Sequence, residues 1–402
     1  MPLLLLFTGT ATAGKVFATP DQQLQTVINR AAPGDTILIR KGIYKQNDIR
    51  INKRLVVIGE DYPVFDGESK HEIFFVTASD VYVAGLQIQN TGHSGMVDMA
   101  GIKIQDASRV IVRDCKIYNT TYGVYLQNST HCTVDRNEIR SNAVTELSAG
   151  NGIHAWKCNS LLISNNSVSR HRDGIYFEFV TESLVHRNNT FDNIRYGLHF
   201  MFSHNDTYSY NTFRNNGAGV SVMFTKGITM YRNKFFHNWG SSAYAILLKE
   251  ISDSRIEYNE FHKNTVGIFM EGTSRIHVAW NTFSENGWAM RIQASCMDNV
   301  FEKNNFKSNS FDVATNGTMM LNEFRQNYWD KYDGYDLDRD GTGDIPYYPV
   351  SVYAVVSERI PTAMILYRSF LTNIMDQVEK VMPSIIPDEL KDDQPKMKQW
   401  KL

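Results

Sequence analysis

The stretch NTFDNIRYGLHFMFSHNDTYSYNTFRNNGAGVSVMFTKGITMYRNKF, residues 189–235, decides the fold, because the triplet Asn-x-Phe returns at residues 189, 211 and 233. An asparagine followed two residues later by an aromatic or aliphatic residue recurs along the chain, with the asparagine at 137, 166, 189, 211, 233, 259, 281, 304 and 322. The steps between them are 29, 23, 22, 22, 26, 22, 23 and 18 residues. A period near 22 residues indicates a solenoid.

A glycine followed by alternating residues lies between the asparagines, at Gly123, Gly152, Gly174, Gly197, Gly219 and Gly267. Alternation with period 2 predicts strands, with the first and third residues after each glycine on one face. One repeat cannot bury its apolar face alone, whereas stacked repeats can. We therefore predict an all-β solenoid, a right-handed parallel β-helix of the pectate-lyase-like type. Its asparagines form a ladder, and its interior holds a stack of Phe191, Phe213, Phe235, Phe261, Phe283 and Phe306.

Three segments are expected. Residues 1–18 form a signal-peptide remnant, since a short apolar run precedes Ala11-Thr12-Ala13, a pattern typical of export. Residues 19–350 form the β-helix, and a helix over Asp21–Ala32, with Asp21 as N-cap, closes its first coil. Residues 351–402 form a C-terminal docking segment, helical from Pro361 to Met382, and a flexible tail from Asp388.

The C-terminal helix has a broad apolar surface, which exceeds what a cap for the last coil requires. We expect this surface to contact a membrane partner. The predicted docking residues are Met364, Leu366, Tyr367, Phe370, Leu371 and Ile374.

Composition excludes several classes of protein. The 41 Lys and Arg against 43 Asp and Glu give a net charge of −2, which argues against a nucleic-acid partner because phosphate neutralisation needs a basic field. No apolar run reaches the length of about 20 residues that a membrane-spanning helix needs. The four cysteines, 115, 132, 158 and 296, are interpreted as buried thiols, and a bridge between Cys115 and Cys132 stays open.

The second and fourth residues after each glycine point outward and form two columns on one face of the solenoid. These columns, with one turn residue, contain His154, Glu178, His199, Met201, His204 and Met223. Imidazole and thioether groups together suit Cu(I) or a related soft metal. A protein interface or a secondary core covered by loops explains the same stripe, so both alternatives stay open.

Catalysis is a rival interpretation, because right-handed β-helices often carry polysaccharide lyases, hydrolases and epimerases. Glycoside hydrolysis needs two carboxylates at a defined separation. Glu178 and Glu271 lie about four coils apart, and Asp173 is expected in a turn. The residues therefore favour this interpretation only weakly.

One acidic segment has alternating aspartates followed by glycine, as in the first half of an EF-hand-type loop. Its members are Asp336, Asp338, Asp340 and Asp344. Tyr347 stands where such a loop has its bidentate glutamate. The segment predicts either a structural calcium site or a turn rich in Asx residues.

The chain resembles the NosD family almost from end to end. Residues 195–204 (RYGLHFMFSH) and 358–370 (ERIPTAMILYRSF) carry this resemblance most specifically. It implies a non-enzymatic periplasmic subunit that assists maturation of nitrous oxide reductase. The implied partners are the membrane permease and cytoplasmic ATPase of an ABC transporter, a copper chaperone lipoprotein and the reductase itself. The implied location is the periplasm, at the inner membrane.

Overall fold

The computed structural model describes residues 13–240, 243–317, 321–366, 369–370, 372, 374–375 and 390–402. Within them the chain forms a parallel β-solenoid of about 13 turns, which confirms the predicted fold class. A 25-stranded sheet forms two of its faces, A and B, and a 13-stranded sheet forms the third, face C. A complete coil contributes a strand to each face, and the long strand Tyr244–Glu257 spans faces A and B of its coil.

Face A consists of Ile49–Ile51, Phe74–Val76, Ala100–Gln105, Tyr122–Gln127, Asn151–Trp156, Asp173–Glu178, Tyr196–Met201, Ala218–Lys226, Tyr244–Glu257, Val266–Glu271, Trp288–Ile292 and Phe311–Thr315. Face B consists of Lys15–Ala18, Thr36–Ile39, Val56–Gly59, Tyr82–Ala84, Ile111–Arg113, Thr133–Asp135, Leu162–Ser164, Leu184–His186, Thr207–Ser209, Thr229–Tyr231, the second half of Tyr244–Glu257, Ser274–Ala279, Val300–Glu302 and Glu323–Arg325. Face C consists of Ile43–Tyr44, Val64–Asp66, Gln87–Gln89, Lys116–Tyr118, Glu138–Arg140, Ser167–Ser169, Asn189–Phe191, Thr212–Arg214, Lys234–Phe236, Glu260–His262, Thr282–Ser284, Asn305–Lys307 and Tyr328–Trp329. Among the described residues, the helical elements with defined bounds are the α-helices Leu24–Arg30 and Val352–Arg359 and the 3-10 turns Glu146–Ser148 and Pro361–Leu366.

The interior follows the predicted alternation on face A. The first and third residues after each glycine, such as Ile175 and Phe177 after Gly174, are fully buried. On face C the aromatic rings stack from coil to coil with centroids 4.0 to 5.1 Å apart. This stack consists of Phe213, Phe235, Phe261, Phe283, Phe306 and Trp329.

The prediction is wrong for Phe191, which does not belong to that stack. Thr190 is the inward residue of its strand and pairs with Phe213, while Phe191 pairs with Arg214 and faces outward. The reason is a shift of one residue, because Asn188 and not Asn189 occupies the asparagine ladder. In that ladder each Nδ2 donates to the Oδ1 of the next coil at 2.9 to 3.0 Å. The bonds satisfy amides that are buried away from water.

The N-terminal end differs from expectation in two details. Lys15–Ala18, assigned above to the signal-peptide remnant, pairs with Thr36–Ile39 as the first strand. The helix begins at Leu24, after Gln23, and Asp21 is not its N-cap. Leu24 and Ile28 are fully buried in the core, so this helix covers the first coils as predicted.

The C-terminal end differs more. A separate helix, Val352–Arg359, precedes the predicted one, and Ser351 Oγ accepts a hydrogen bond from Ala354 N at 3.1 Å at its start. The predicted helix begins as the 3-10 turn Pro361–Leu366, and its described residues 370, 372 and 374–375 are helical. Residues 376–389, the remainder of the predicted helix and the start of the predicted tail, lie outside the described residues. Residues 390–402 lie against the last coils, with parallel bridges from Asp392 to Phe324 and from Lys396 to Tyr328. The prediction of a flexible tail did not anticipate these contacts.

The four cysteines are buried free thiols. The bridge between Cys115 and Cys132 that the sequence left open is therefore not formed. Burial raises the pKa of the Cys115 thiol to about 12, so this group stays protonated at neutral pH and is a poor nucleophile. These thiols fill the core.

Candidate functional site

Two columns of side chains run along the outside of face A, one coil per step. The middle column holds the second residue after each glycine: Tyr125, His154, Tyr176, His199 and Ser221. The edge column holds the fourth: Gln127, Trp156, Glu178, Met201 and Met223. Parallel register brings neighbours within a column to about 4.8 Å, the spacing of strands in a sheet.

The middle column is more buried than an outward column was expected to be. His154 is 9% exposed and His199 is 4% exposed. Tyr176 lies between them, with its ring centroid 4.8 Å from His154 and 4.9 Å from His199. The two histidines are therefore two coils apart, about 9.6 Å, which is too far for both to bind one metal ion.

The edge column brings three of the predicted copper ligands together. Met201 pairs directly with Glu178 on one side and with Met223 on the other. Tyr176 joins the two columns, because its hydroxyl donates to Glu178 Oε2 at 3.2 Å and lies 3.6 Å from Met201 Sδ. Glu178, Met201 and Met223 are each partly exposed. Two thioethers on adjacent coils are donors that Cu(I) prefers.

His154 lies in a buried polar environment. Asn151 Nδ2 is 2.9 Å from His154 Nδ1, and Arg172 Nη2 donates to Asn151 Oδ1 at 3.2 Å. Burial, and secondly the charge of Arg172, lowers the pKa of His154 to about 3. The imidazole is therefore neutral in the folded protein at physiological pH.

His199 has a different neighbour. Its Nδ1 lies 3.5 Å from Asp173 Oδ2, and Asp173 is fully buried at the start of its strand, not in the turn where it was expected. In the register Asp173 pairs with Tyr196, and His199 pairs with Tyr176, so the contact between Asp173 and His199 runs diagonally between two adjacent coils. The alternation that follows each glycine does not predict this contact, because Asp173 precedes Gly174.

His204 does not join the other candidates. It lies in the turn beyond Met201, bridges to Thr181, and accepts a hydrogen bond from Lys226 N at Nδ1, at 3.3 Å. Burial and the neighbouring Lys226 lower its pKa. His204 therefore lies in the turn outside the middle and edge columns.

A ladder of exposed phenylalanines borders the edge column. Phe179, Phe202 and Phe224 stack with centroids 5.2 and 5.1 Å apart and with 44%, 37% and 38% exposure. All three have positive φ, a conformation that costs a bulky residue about 1–2 kcal/mol. Their faces cover one another and their edges meet solvent. Such an arrangement suits apolar contact with a protein better than stacking of a sugar ring.

The acidic segment gathers three of its four predicted residues. Asp336, Asp338 and Asp340 each offer an oxygen within 4.8 Å of the others. Their carboxylates also accept backbone hydrogen bonds, for example Asp336 from Gly341 N at 2.9 Å. Asp344 instead accepts from Leu337 N at 2.7 Å. Both alternatives, a cation site and an Asx-rich turn, are compatible with these contacts.

The predicted docking residues are described in part. Leu366 is 40% exposed, Phe370 80% and Ile374 42%. Tyr367 and Leu371, with the side chain of Met364, lie outside the described residues. No helix among those described is long and apolar enough to cross a bilayer.

The carboxylates considered for catalysis lie far apart on face A. Glu178 and Glu271 occupy one column, four coils from each other, about 19 Å. Glycosidase pairs are separated by about 5–10 Å. Asp173 has no exposed surface, so a polymer cannot reach it in this conformation.

Comparison with known proteins identifies the family. The protein-family model described as "Periplasmic copper-binding protein (NosD)" matches residues 28–148 and 136–334 of this chain. The chain belongs to the NosD family. Two relatives, each named "Probable ABC transporter binding protein NosD", are 25% identical: that of Pseudomonas aeruginosa over 99% of this chain and 94% of its own length, and that of Stutzerimonas stutzeri over 98% and 93%.

Solved structures share the fold of this NosD-family chain. The catalytic unit of an α-1,3-glucanase from Streptomyces thermodiastaticus has a TM-score of 0.55 and 12% identity, covering 77% of this chain and 62% of its own. An exopolygalacturonase from Thermotoga maritima has a TM-score of 0.53 and 11% identity, covering 77% and 90%. Identity this low shows the fold alone. The structural neighbours are right-handed β-helices of the pectate-lyase-like type, as predicted.

Proposed function

We propose that this protein is a non-enzymatic periplasmic subunit of an ABC transporter complex that assists copper delivery to nitrous oxide reductase during its maturation. The paired thioethers of Met201 and Met223, one coil apart beside Glu178, carry the proposal. The family description as periplasmic and copper-binding, and the relatives' name as transporter binding proteins, support it.

Copper is the cargo in this proposal. Met201 and Met223 offer two sulfur donors that match Cu(I), and Glu178 offers an anionic oxygen beside them. Partial exposure of all three lets a carrier protein approach the ion from outside. A copper chaperone lipoprotein is the proposed donor, and the exposed edges of Phe179 and Phe202 give it an apolar contact beside the sulfurs.

The test of the copper site is Cu(I) binding by competition with a chromophoric chelator under reducing conditions. Met201→Leu combined with Met223→Leu conserves volume and removes both sulfurs. We expect this double variant to lose the Cu(I) site of highest affinity. The matched control is Met297→Leu, an exposed methionine at 47% exposure, which should leave binding unchanged. Equal stoichiometry and affinity in the double variant would refute the ligand assignment.

Docking on the membrane permease, which works with a cytoplasmic ATPase, is proposed for the segment after the solenoid. Phe370 and Ile374 remain exposed there although they are apolar, which is typical of interaction sites. Co-purification of the co-expressed permease should be lost with Phe370→Glu. Leu147→Glu, at a residue with 91% exposure in another loop, is the control. If both variants retain the permease, the docking assignment is wrong.

A purely structural adaptor is the second candidate, and the phenylalanine ladder favours it. An adaptor would need Phe179, Phe202 and Phe224 for partner binding without any copper at Met201 and Met223. Cu(I) binding by the wild type, with partner capture by Phe202→Ser and by the double methionine variant, separates the two candidates. A copper-delivery subunit binds Cu(I) and loses it in the methionine variant, whereas an adaptor binds none. An adaptor loses its partner only in the phenylalanine variant.

A further inference from the structure

The two histidines of the middle column are held in opposite ways. An arginine side chain has donors only, so Asn151 directs its oxygen to Arg172 Nη2 and its amide nitrogen to His154 Nδ1. His154 therefore accepts at Nδ1 and carries its proton on Nε2. In this tautomer neither nitrogen of His154 has a lone pair available for a metal ion.

His199 faces an acceptor. A carboxylate offers lone pairs only, so the Nδ1 that lies 3.5 Å from Asp173 Oδ2 is stabilised when it carries the proton. The opposite tautomer would direct a lone pair at an anionic oxygen. Nδ1 with its proton leaves the Nε2 lone pair available. Both ring nitrogens of His199, Asp173 Oδ2 and the hydroxyl of Ser221, one coil away in the middle column, are buried without a hydrogen bond among the described residues. The 3.5 Å contact with Asp173 is therefore an electrostatic one, and Nε2 has no polar partner in the described part of the chain.

We propose that Asp173 is a positioning residue that holds His199 in the Nδ1–H tautomer, so that His199 Nε2 serves as an imidazole ligand for Cu(I), while Arg172 and Asn151 keep His154 from binding. The inference rests on the proposed function for its metal. A carboxylate behind a metal-binding histidine fixes the ring tautomer in the same manner at many metal sites.

Asp173 has two further polar neighbours. Its Oδ1 accepts from Tyr196 N at 3.4 Å, and Arg172 Nε lies 3.7 Å from its Oδ2. His199 and Met201 are two residues apart on one strand, so both face outward. The ring of His199 also contacts Tyr196, with centroids 4.7 Å apart, which restricts its rotation.

The first experiment measures tautomers in the full-length apo-protein. Ring nitrogen chemical shifts are recorded on protein labelled with ¹⁵N-histidine, and His154→Gln and His199→Gln variants assign the two signals. We expect Nδ1–H at His199 and Nε2–H at His154. The reverse pattern, or an equal mixture at both rings, would overturn the inference. This result does not depend on copper and so is separate from the proposed function.

The second experiment compares Cu(I) affinity. In Asp173→Asn the Tyr196 amide keeps the side-chain oxygen, so the amide nitrogen turns to His199 and shifts its proton to Nε2. We expect Cu(I) affinity to fall about 10-fold or more. His154→Gln should change it less than about 2-fold. Unchanged affinity with a shifted tautomer would overturn the ligand role of His199.

A second variant guards against misfolding of Asp173→Asn. Asn151 pairs with Asp173 in the register, one coil earlier. Asn151→Asp should therefore convert His154 to the Nδ1–H tautomer and leave the tautomer of His199 unchanged. An unaltered His154 signal would contradict the assignment. If wild-type protein binds no Cu(I), the proposed function fails, and the apo tautomers still decide the positioning role.

Discussion

The carboxylate of Asp392 ends the asparagine ladder, and its removal should unfold the last coil. Oδ2 accepts from Asn327 N at 2.9 Å, Asn327 Nδ2 at 3.0 Å and Trp329 Nε1 at 3.1 Å. Oδ1 accepts from Gln326 N and Gln394 N, both at 3.0 Å. Asp392, Asn327 and Trp329 are all at most 1% exposed. Four of these five donors belong to the solenoid, so the carboxylate joins the C-terminal segment to the last coil.

The magnitude follows from the three donors to Oδ2. A buried donor left unsatisfied costs about 1–3 kcal/mol, and water entering behind a detached segment limits the sum. We expect Asp392→Ala to reduce the free energy of unfolding by about 3 kcal/mol. Asp392→Asn keeps one oxygen for Asn327 and Trp329 but presents an amide nitrogen to two backbone donors, so about 1–2 kcal/mol is expected.

Hydrogen exchange followed by mass spectrometry is the appropriate assay, because solenoid coils interact mainly with their neighbours. Peptides covering 321–330 and 390–402 should exchange faster in Asp392→Ala, whereas peptides covering 160–230 should not change. Asp393→Ala is the matched control, since its pair with Lys391 is exposed and such pairs contribute less than about 1 kcal/mol. Equal exchange and equal stability in the two alanine variants would refute the reasoning.

Three further predictions concern the interior, a buried histidine and the acidic loop. Gly197→Ala places a Cβ 2.7 Å from the carbonyl oxygen of Gly219 and should lower the free energy of unfolding, measured with denaturant, by about 1–3 kcal/mol. Gly95→Ala, with nothing within 4 Å of its Cβ, should change it little. Equal effects of the two variants would contradict the prediction. Burial lowers the pKa of His171 to about 3. Its contribution to stability is therefore complete above the unfolded pKa of about 6.5 and is lost as the pH falls from there to about 3. The melting temperature of His171→Asn should depend less on pH across this window than that of the wild type, and parallel curves would contradict the prediction. If the acidic loop binds calcium, about 1 mM Ca²⁺ should raise the melting temperature of wild type but not of Asp338→Asn, and no shift in wild type would favour the Asx-rich turn.

The candidate site was predictable in part. Alternation after each glycine placed Met201 and Met223 in one outward column, and the register confirms that placement. The sequence could not show that His154 and His199 are buried, because burial of an outward residue depends on rings and loops from other coils. The contact between Asp173 and His199 could not be predicted either, because it joins side chains of two adjacent coils.

The sequence by itself determined the solenoid, because a coil of about 22 residues repeats its own pattern of inward and outward positions. It could not set the phase where Asn188 and Asn189 are adjacent, since both satisfy the local pattern and only stacking on the next coil selects Asn188. Nor could it show that Asp392 completes the ladder, 65 residues beyond Asn327. The repeats follow from a local sequence pattern, so they can be predicted from the sequence. The structure of the ends and the burial of the outer columns depend on contacts between distant segments. Tertiary structure alone decided those.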